Sequence, residues 1–131
     1  MTKVYIASKL KHAGRWSKLR TELRAEGIDL HARWIDQSAH EDSAMPEDFK
    51  MFWMVDHEDV KNCDALIVYG EPGESLKGAL IETGIGIALG RLTFVVGECE
   101  SFGTWTHHPF VTRAATLEFA LRLIKHRFGA H

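Results

Sequence analysis

The sequence predicts a three-layer α/β fold, a mostly parallel twisted sheet with helices on both faces. Three observations carry that expectation. Short β-favouring runs alternate with stretches of helical period along the chain. The run Ala65-Leu66-Ile67-Val68-Tyr69 is apolar throughout, as in a strand buried on both faces of a parallel sheet. Gly27 and Gly90 stand where two of the helical stretches should close. Such an alternation implies right-handed crossovers and a ligand site beyond the carboxyl ends of the strands.

Residues 3–7 form the first strand, around Val4-Tyr5-Ile6. A polar turn over 8–14 leads into a helix over 15–26, with Trp16, Leu19 and Leu23 at helical spacing. Residues 28–35 read as a weaker strand, closed near Trp34, and 36–44 as a polar loop. Pro46 suits the first residue of a helix, with Ser43 as a candidate cap and Glu47 and Asp48 near its positive end. That helix runs to Asn62, and 64–69 form the central buried strand. A Gly/Pro loop over 70–74 precedes a helix over 75–89, and 92–96 form a fourth strand. Residues 97–109 read as loop, and 112–127 as a last helix with Leu117, Leu121, Ile124 and Phe128 on one stripe.

The 131 residues and 14.8 kDa correspond to a single domain over 1–131. Sixteen Lys and Arg against eighteen Asp and Glu give a net charge of −2, which excludes the basic excess of a polymeric nucleic-acid or membrane-surface binder. Cys63 and Cys99 are too few for a disulfide framework or a zinc site, so a cytoplasmic setting without metal or cofactor is expected.

Two acids stand out. Phe49, Phe52, Trp53, Asp56 and Val60 share one helix face, so Asp56 is either a stripe-edge acid with a basic partner or a desolvated functional group. Gly78, Glu82 and Gly86 share a face of the next helix. Helical glycines cost roughly 1 kcal/mol each relative to Ala, so two of them around a carboxylate mark either tight packing or the close approach of a ligand. The loop Gly70-Glu71-Pro72-Gly73-Glu74-Ser75 fails the Walker pattern, yet a strand, a Gly-rich turn and a helix start suit an anion or a sugar hydroxyl. Trp34 could stack on a base or belong to the core.

Together these segments resemble the nucleoside 2-deoxyribosyltransferase-like family, which includes the deoxynucleoside 5′-monophosphate N-hydrolases. The resemblance runs from about Lys3 to Val96. It rests on Lys3-Val4-Tyr5-Ile6-Ala7-Ser8, on Asp56 eight residues before Asp64, and on Gly78-Ala79-Leu80-Ile81-Glu82-Thr83-Gly84-Ile85-Gly86. It implies a flavodoxin- or Rossmann-like fold and cleavage of the N-glycosidic bond of a nucleoside or nucleoside 5′-monophosphate. Glu82 matches the nucleophile, Asp56 an aspartate near the base and leaving group, and Tyr5 an active-site tyrosine. Ser8, Trp34, Gly70, Ser75 and Gly78 are the further substrate-binding candidates. Leu76 occupies the place six residues before the glutamate where the hydrolases have serine and the transferases aspartate. The resemblance also implies a homodimer or higher homo-oligomer, with 105–110 or the last helix reaching a neighbour's pocket. A nucleoside-monophosphate phosphoribohydrolase, or a nucleotide-binding and sensing module without chemistry, are the alternative readings.

Overall fold

The computed structural model describes residues 1–37 and 45–129. Five strands form one sheet: β1 (Thr2–Ala7), β2 (Ile28–Leu30), β3 (Ala65–Gly70), β4 (Leu92–Gly97) and β5 (Val111–Ala114). Their order is β2-β1-β3-β4-β5, and every neighbouring pair is parallel. The helices are α1 (Ala13–Arg24), α2 (Trp34–Gln37), α3 (Pro46–Lys61), α4 (Gly78–Ala88) and α5 (Leu117–Phe128). The expected three-layer α/β architecture is therefore the observed one. Strand order reverses between β1 and β3, which opens a crevice at their carboxyl ends.

The central strands explain the composition. Val4, Tyr5 and Ile6 of β1 and Ala65 to Val68 of β3 have no exposed surface, as strands covered on both faces require. Gly27, at a φ of +83°, closes the α1 connection as its sequence position suggested. Gly97 is needed for a different reason. It pairs with Gly70 across β3 and β4, has a φ of +87°, and a Cβ there would lie 2.0 Å from the Gly70 carbonyl oxygen.

Four sequence-based boundaries are corrected. The second strand stops at Leu30, because the chain turns out of the sheet to put Arg33 on Asp59 and Trp34 into a helical turn. The fourth helix starts at Gly78 rather than residue 75; the Leu76 N–H is instead held by the Ser101 hydroxyl at 2.8 Å. Residues 112–114, read as the start of the last helix, form β5 together with Val111. The last helix then starts after Thr116, whose hydroxyl accepts from the Phe119 N–H at 3.1 Å. Pro46 does open α3, where Asp48 accepts from the Met45 N–H at 2.8 Å. The loop residues 38–44 and the candidate cap Ser43 lie outside the described residues.

Candidate functional site

A cleft of about 840 Å³ opens at the carboxyl ends of β1 and β3. Its floor and one wall come from α4 and the loop before it, with Ser75, Leu76, Lys77, Gly78, Ala79 and Glu82. The turn after β1 adds Ser8, Lys9, Leu10 and Lys11. The opposite wall comes from α3 and α2, with Phe49, Phe52, Trp53, Asp56 and Trp34. The aromatic stripe of α3 thus faces a cavity instead of the core: Phe49 and Trp53 remain 43% and 39% exposed, whereas Val60 at its far end is fully buried.

Glu82 and Asp56 are both buried, on α4 and α3, two helices that pack on each other. The Tyr5 hydroxyl, beneath the cleft on β1, donates to Glu82 Oε2 at 2.6 Å. The Glu82 carboxyl is raised to about 8, mainly by burial, with the Tyr5 hydrogen bond pulling it down and the charge and hydrogen bond of Asp56 adding to the rise. Burial, followed by the neighbouring Glu82 and Asp56 charges, also pushes the Tyr5 phenol well above its usual value. Tyr5, Asp56 and Glu82 therefore form one buried cluster of titratable groups at the cleft, an arrangement that suits nucleophilic or acid–base chemistry.

The remaining sequence candidates fall into three groups. Ser8, Trp34, Ser75 and Gly78 line the cleft. Of these, Ser8 has its hydroxyl proton on the Lys9 carbonyl at 2.9 Å and accepts from the Trp16 indole at 2.8 Å, so it shapes the turn. Trp34 is buried with its indole N–H on the Ile6 carbonyl at 2.8 Å, which fixes its ring as cleft wall. Gly78 faces the Trp53 ring, whose nearest atoms lie 3.5 Å from where a Cβ would stand. Tyr5 belongs to the site through Glu82 without lining the cavity. Gly70 is a correction: it is not part of the cleft lining, and a Cβ on it would meet Cys99 Sγ at 2.7 Å and Phe102 at 3.0 Å. Its smallness serves packing behind the sheet end. Gly86 likewise serves packing, since a Cβ there would come within 3.1 Å of Leu66.

Several residues around the cleft were not among the site residues expected from the sequence. Glu74 is buried in the wall, where Oε1 accepts from the Glu71 N–H at 2.8 Å and Oε2 meets His12 at 2.8 Å and Lys11 at 3.3 Å. Burial raises its carboxyl, but these partners outweigh it and leave the group below the usual range. His12, Glu71 and Glu74 bring their ligand atoms within 4.8 Å of one another. Lys11 and Arg15 already supply positive charge there, at 3.3 Å from Glu74 and 3.8 Å from Glu71. On α3, the fully buried Asp59 accepts from the Arg33 backbone N–H at 2.9 Å and from its guanidinium at 2.8 Å, with His31 at 3.3 Å. That cluster fixes the β2–α2 connection against α3 and so holds the two elements of that wall together. Only its spacing, one turn beyond Asp56, hinted at it in the sequence.

Cys63 is buried, as expected for a small apolar residue, and burial pushes its thiol up to about 11. Among the described residues no helix is long and apolar enough to cross a membrane.

Two solved enzymes share the fold. A CMP N-glycosidase from Clostridium botulinum superposes with a TM-score of 0.61 at 19% identity, over 95% of this chain and 99% of that one. A 2-deoxyribosyltransferase from Bacillus psychrosaccharolyticus gives a TM-score of 0.69 at 17% identity, over 91% of this chain and 90% of its own. No protein-family profile matches the sequence, and no curated protein matches it either.

Proposed function

We propose that this protein cleaves the N-glycosidic bond of a nucleoside or nucleotide, as a member of the nucleoside 2-deoxyribosyltransferase-like family. The observation that carries the reading is the buried Glu82, hydrogen-bonded to Tyr5 and beside Asp56, whose charge raises its titration, in the cleft at the strand ends. The fold shared with an N-glycosidase and a deoxyribosyltransferase supports it.

The chemistry follows from the two acids. Glu82, ionised and oriented by Tyr5, attacks C1′ of the sugar. The C1′–N bond breaks, its electron pair leaves on the base nitrogen, and Asp56 supplies the proton that nitrogen needs. The product is a Glu82–C1′ ester. Water attacking C1′ gives up a proton to Asp56 and releases the Glu82 carboxylate; a second base attacking instead gives transfer. This is the division of labour of a retaining glycosidase. The pair needs one proton between its members, which a coupled cluster with a raised titration provides.

The test is chromatographic. Incubation with a panel of nucleosides, 2′-deoxynucleosides and their 5′-monophosphates, with and without an acceptor base, should release free base or form a new nucleoside. Glu82→Ala should abolish both while leaving the circular-dichroism spectrum unchanged. An equally active Glu82→Ala protein would remove the mechanism, and an intact bound nucleotide with no turnover would favour a sensing module. On the same reading the working unit is a homodimer or higher homo-oligomer, which light scattering checks.

A further inference from the structure

Two irregular segments line part of the cleft, residues 8–11 after β1 and residues 73–77 before α4. Neither belongs to the sheet ladder, and the buried Glu74 carboxylate joins them. Its Oε2 meets His12 Nε2 at 2.8 Å and Lys11 Nζ at 3.3 Å, while Oε1 accepts from the Glu71 N–H at 2.8 Å. The two basic partners differ in what they can hold. The Lys11 side chain is 65% exposed and pairs from solvent, where an ion pair contributes little. The His12 side chain is only 12% exposed. It immediately precedes α1, and its ring stands edge-on to Tyr69, with centroids 5.3 Å apart at 88°, and 6.0 Å from Trp16. Burial works against ionisation of Glu74, yet the Glu71 N–H, His12 and Lys11 hold it below the usual carboxylate range. An ionised carboxylate offers acceptors alone, so Nε2 carries the proton of the His12–Glu74 bond.

We infer that His12 is a positioning residue: its Nε2–H on Glu74 ties the turn after β1 to the loop before α4, and that tie sets how tightly the cleft holds its substrate. His12 does not itself line the cleft, so it acts through Glu74 and the two segments. The loop is pinned a second time where the Leu76 N–H meets the Ser101 hydroxyl at 2.8 Å. Ser75, which lines the cleft, stands between the two pins. Without the His12 bond the loop keeps only the Leu76 pin and the exposed Lys11, and both segments gain freedom together. Tyr5, Asp56 and Glu82 sit instead on β1, α3 and α4, whose backbones are held by their own hydrogen bonds. The reacting groups therefore keep their places when the tie is lost, and the signature is weaker capture with an unchanged chemical step. The consequence for affinity rests on the cleavage reading; the tie itself does not.

Three variants of the full chain separate the hydrogen bond from the packing of the ring. His12→Phe keeps an aromatic ring for Tyr69 and Trp16 but has no donor. His12→Leu lacks both, and His12→Gln brings an amide N–H close to the place of Nε2. Residue-resolved amide exchange needs no substrate. The amides of Glu71, Glu74 and position 12 are bonded to Glu74 Oε1, the Glu71 carbonyl and the Lys9 carbonyl. They should exchange about tenfold faster, all together, in His12→Phe and His12→Leu, as loss of a charge-assisted bond allows. His12→Gln should stay near the wild-type rates. With whichever of CMP, dCMP, AMP and dAMP is turned over fastest, KM should rise about tenfold in the donorless variants while kcat stays within about twofold. His12→Gln should restore KM. Unchanged exchange in the donorless variants, acceleration in one segment alone, a His12→Gln protein as impaired as His12→Phe, or a fall in kcat at constant KM would overturn the inference. The two readings fail separately. Coordinated exchange with no base release from any compound removes the cleavage chemistry alone; base release with KM unchanged in His12→Phe removes the role of the tie alone.

Discussion

The Tyr5 hydroxyl and the Glu82 carboxylate, 77 positions apart in the chain, meet at 2.6 Å beneath the cleft. The contact spans from the central strand β1 to α4, so the orientation of Glu82 is set by the most deeply buried part of the sheet. A donor at this place favours the ionised carboxylate that an attack on C1′ needs. Tyr5→Phe should therefore raise the Glu82 titration further and lower kcat by about 10- to 100-fold. Single-turnover base release on the purified variant measures both effects.

The pH dependence of base release should carry the signature of a shared proton. The pair is competent while it holds one proton, and Glu82 titrates at about 8, so activity should decline as pH rises through that value. Asp56→Asn removes the repulsion that lifts Glu82 and also the acid itself. Its residual activity should instead rise with pH, with a midpoint below the wild-type one, because only the ionised glutamate remains to be counted. A kcat profile of both proteins taken across the acid and alkaline sides of that value checks the inversion.

The same burial has a thermodynamic consequence. The folded-state titration of Glu82 lies above its unfolded value, so the native state binds more protons between about 4.5 and about 8. Stability contributed by the protonated form is complete below the unfolded value and is lost as pH rises through the folded one. Glu82→Gln keeps an acceptor for Tyr5 without the charge, and should melt higher than wild type by roughly 4–10 °C at alkaline pH. The gain should shrink towards zero in acid. Differential scanning calorimetry at both extremes measures it.

Arg33→Ala should destabilise the fold by about 3 kcal/mol, because it strips the buried Asp59 of its main partner and leaves an uncompensated charge. His31, at 3.3 Å from Asp59, keeps a partial contact in the variant. Urea unfolding of the variant beside wild type gives the comparison.

Gly70→Ala and Gly97→Ala separate packing from backbone constraint. The first forces a methyl against Cys99 Sγ and the Phe102 ring and should cost about 1–3 kcal/mol. The second sets a methyl on the Gly70 carbonyl at a positive φ, and soluble expression should fall sharply. Neither residue lines the cleft, so surviving Gly70→Ala protein should retain its ligand affinity.

Periodicity made the layered architecture legible because the central strands and α1, α3 and α4 are governed by local burial patterns. Asp56 and Glu82 were visible as acids on otherwise apolar or glycine-flanked faces. What stayed hidden depended on tertiary contacts. The Thr-Arg pair inside β5 is exposed and carries no strand signal until β4 lies beside it. The early end of β2 follows from the grip of Asp59 on Arg33, a contact between residues 26 positions apart. The phenylalanines and tryptophan of α3 have the spacing of core residues and only the cleft opposite them reveals another use. Gly70 was read as part of an anion-binding turn because Gly-rich loops after strands often are. Its neighbours Cys99 and Phe102 come from a loop whose path no local rule describes.

The placement of Trp53 has a practical corollary. The chain has four tryptophans, of which Trp16 and Trp34 are already buried, while Trp53 stands half in water on the cleft wall facing Gly78. Any molecule that fills the cleft must change the surroundings of that indole, and a stacked heterocycle would also drain its excited state. The protein thus carries its own optical reporter of occupancy, readable as a blue shift or a loss of emission in unlabelled material, with Trp53→Phe separating the part of the signal that belongs to this ring from that of Trp34.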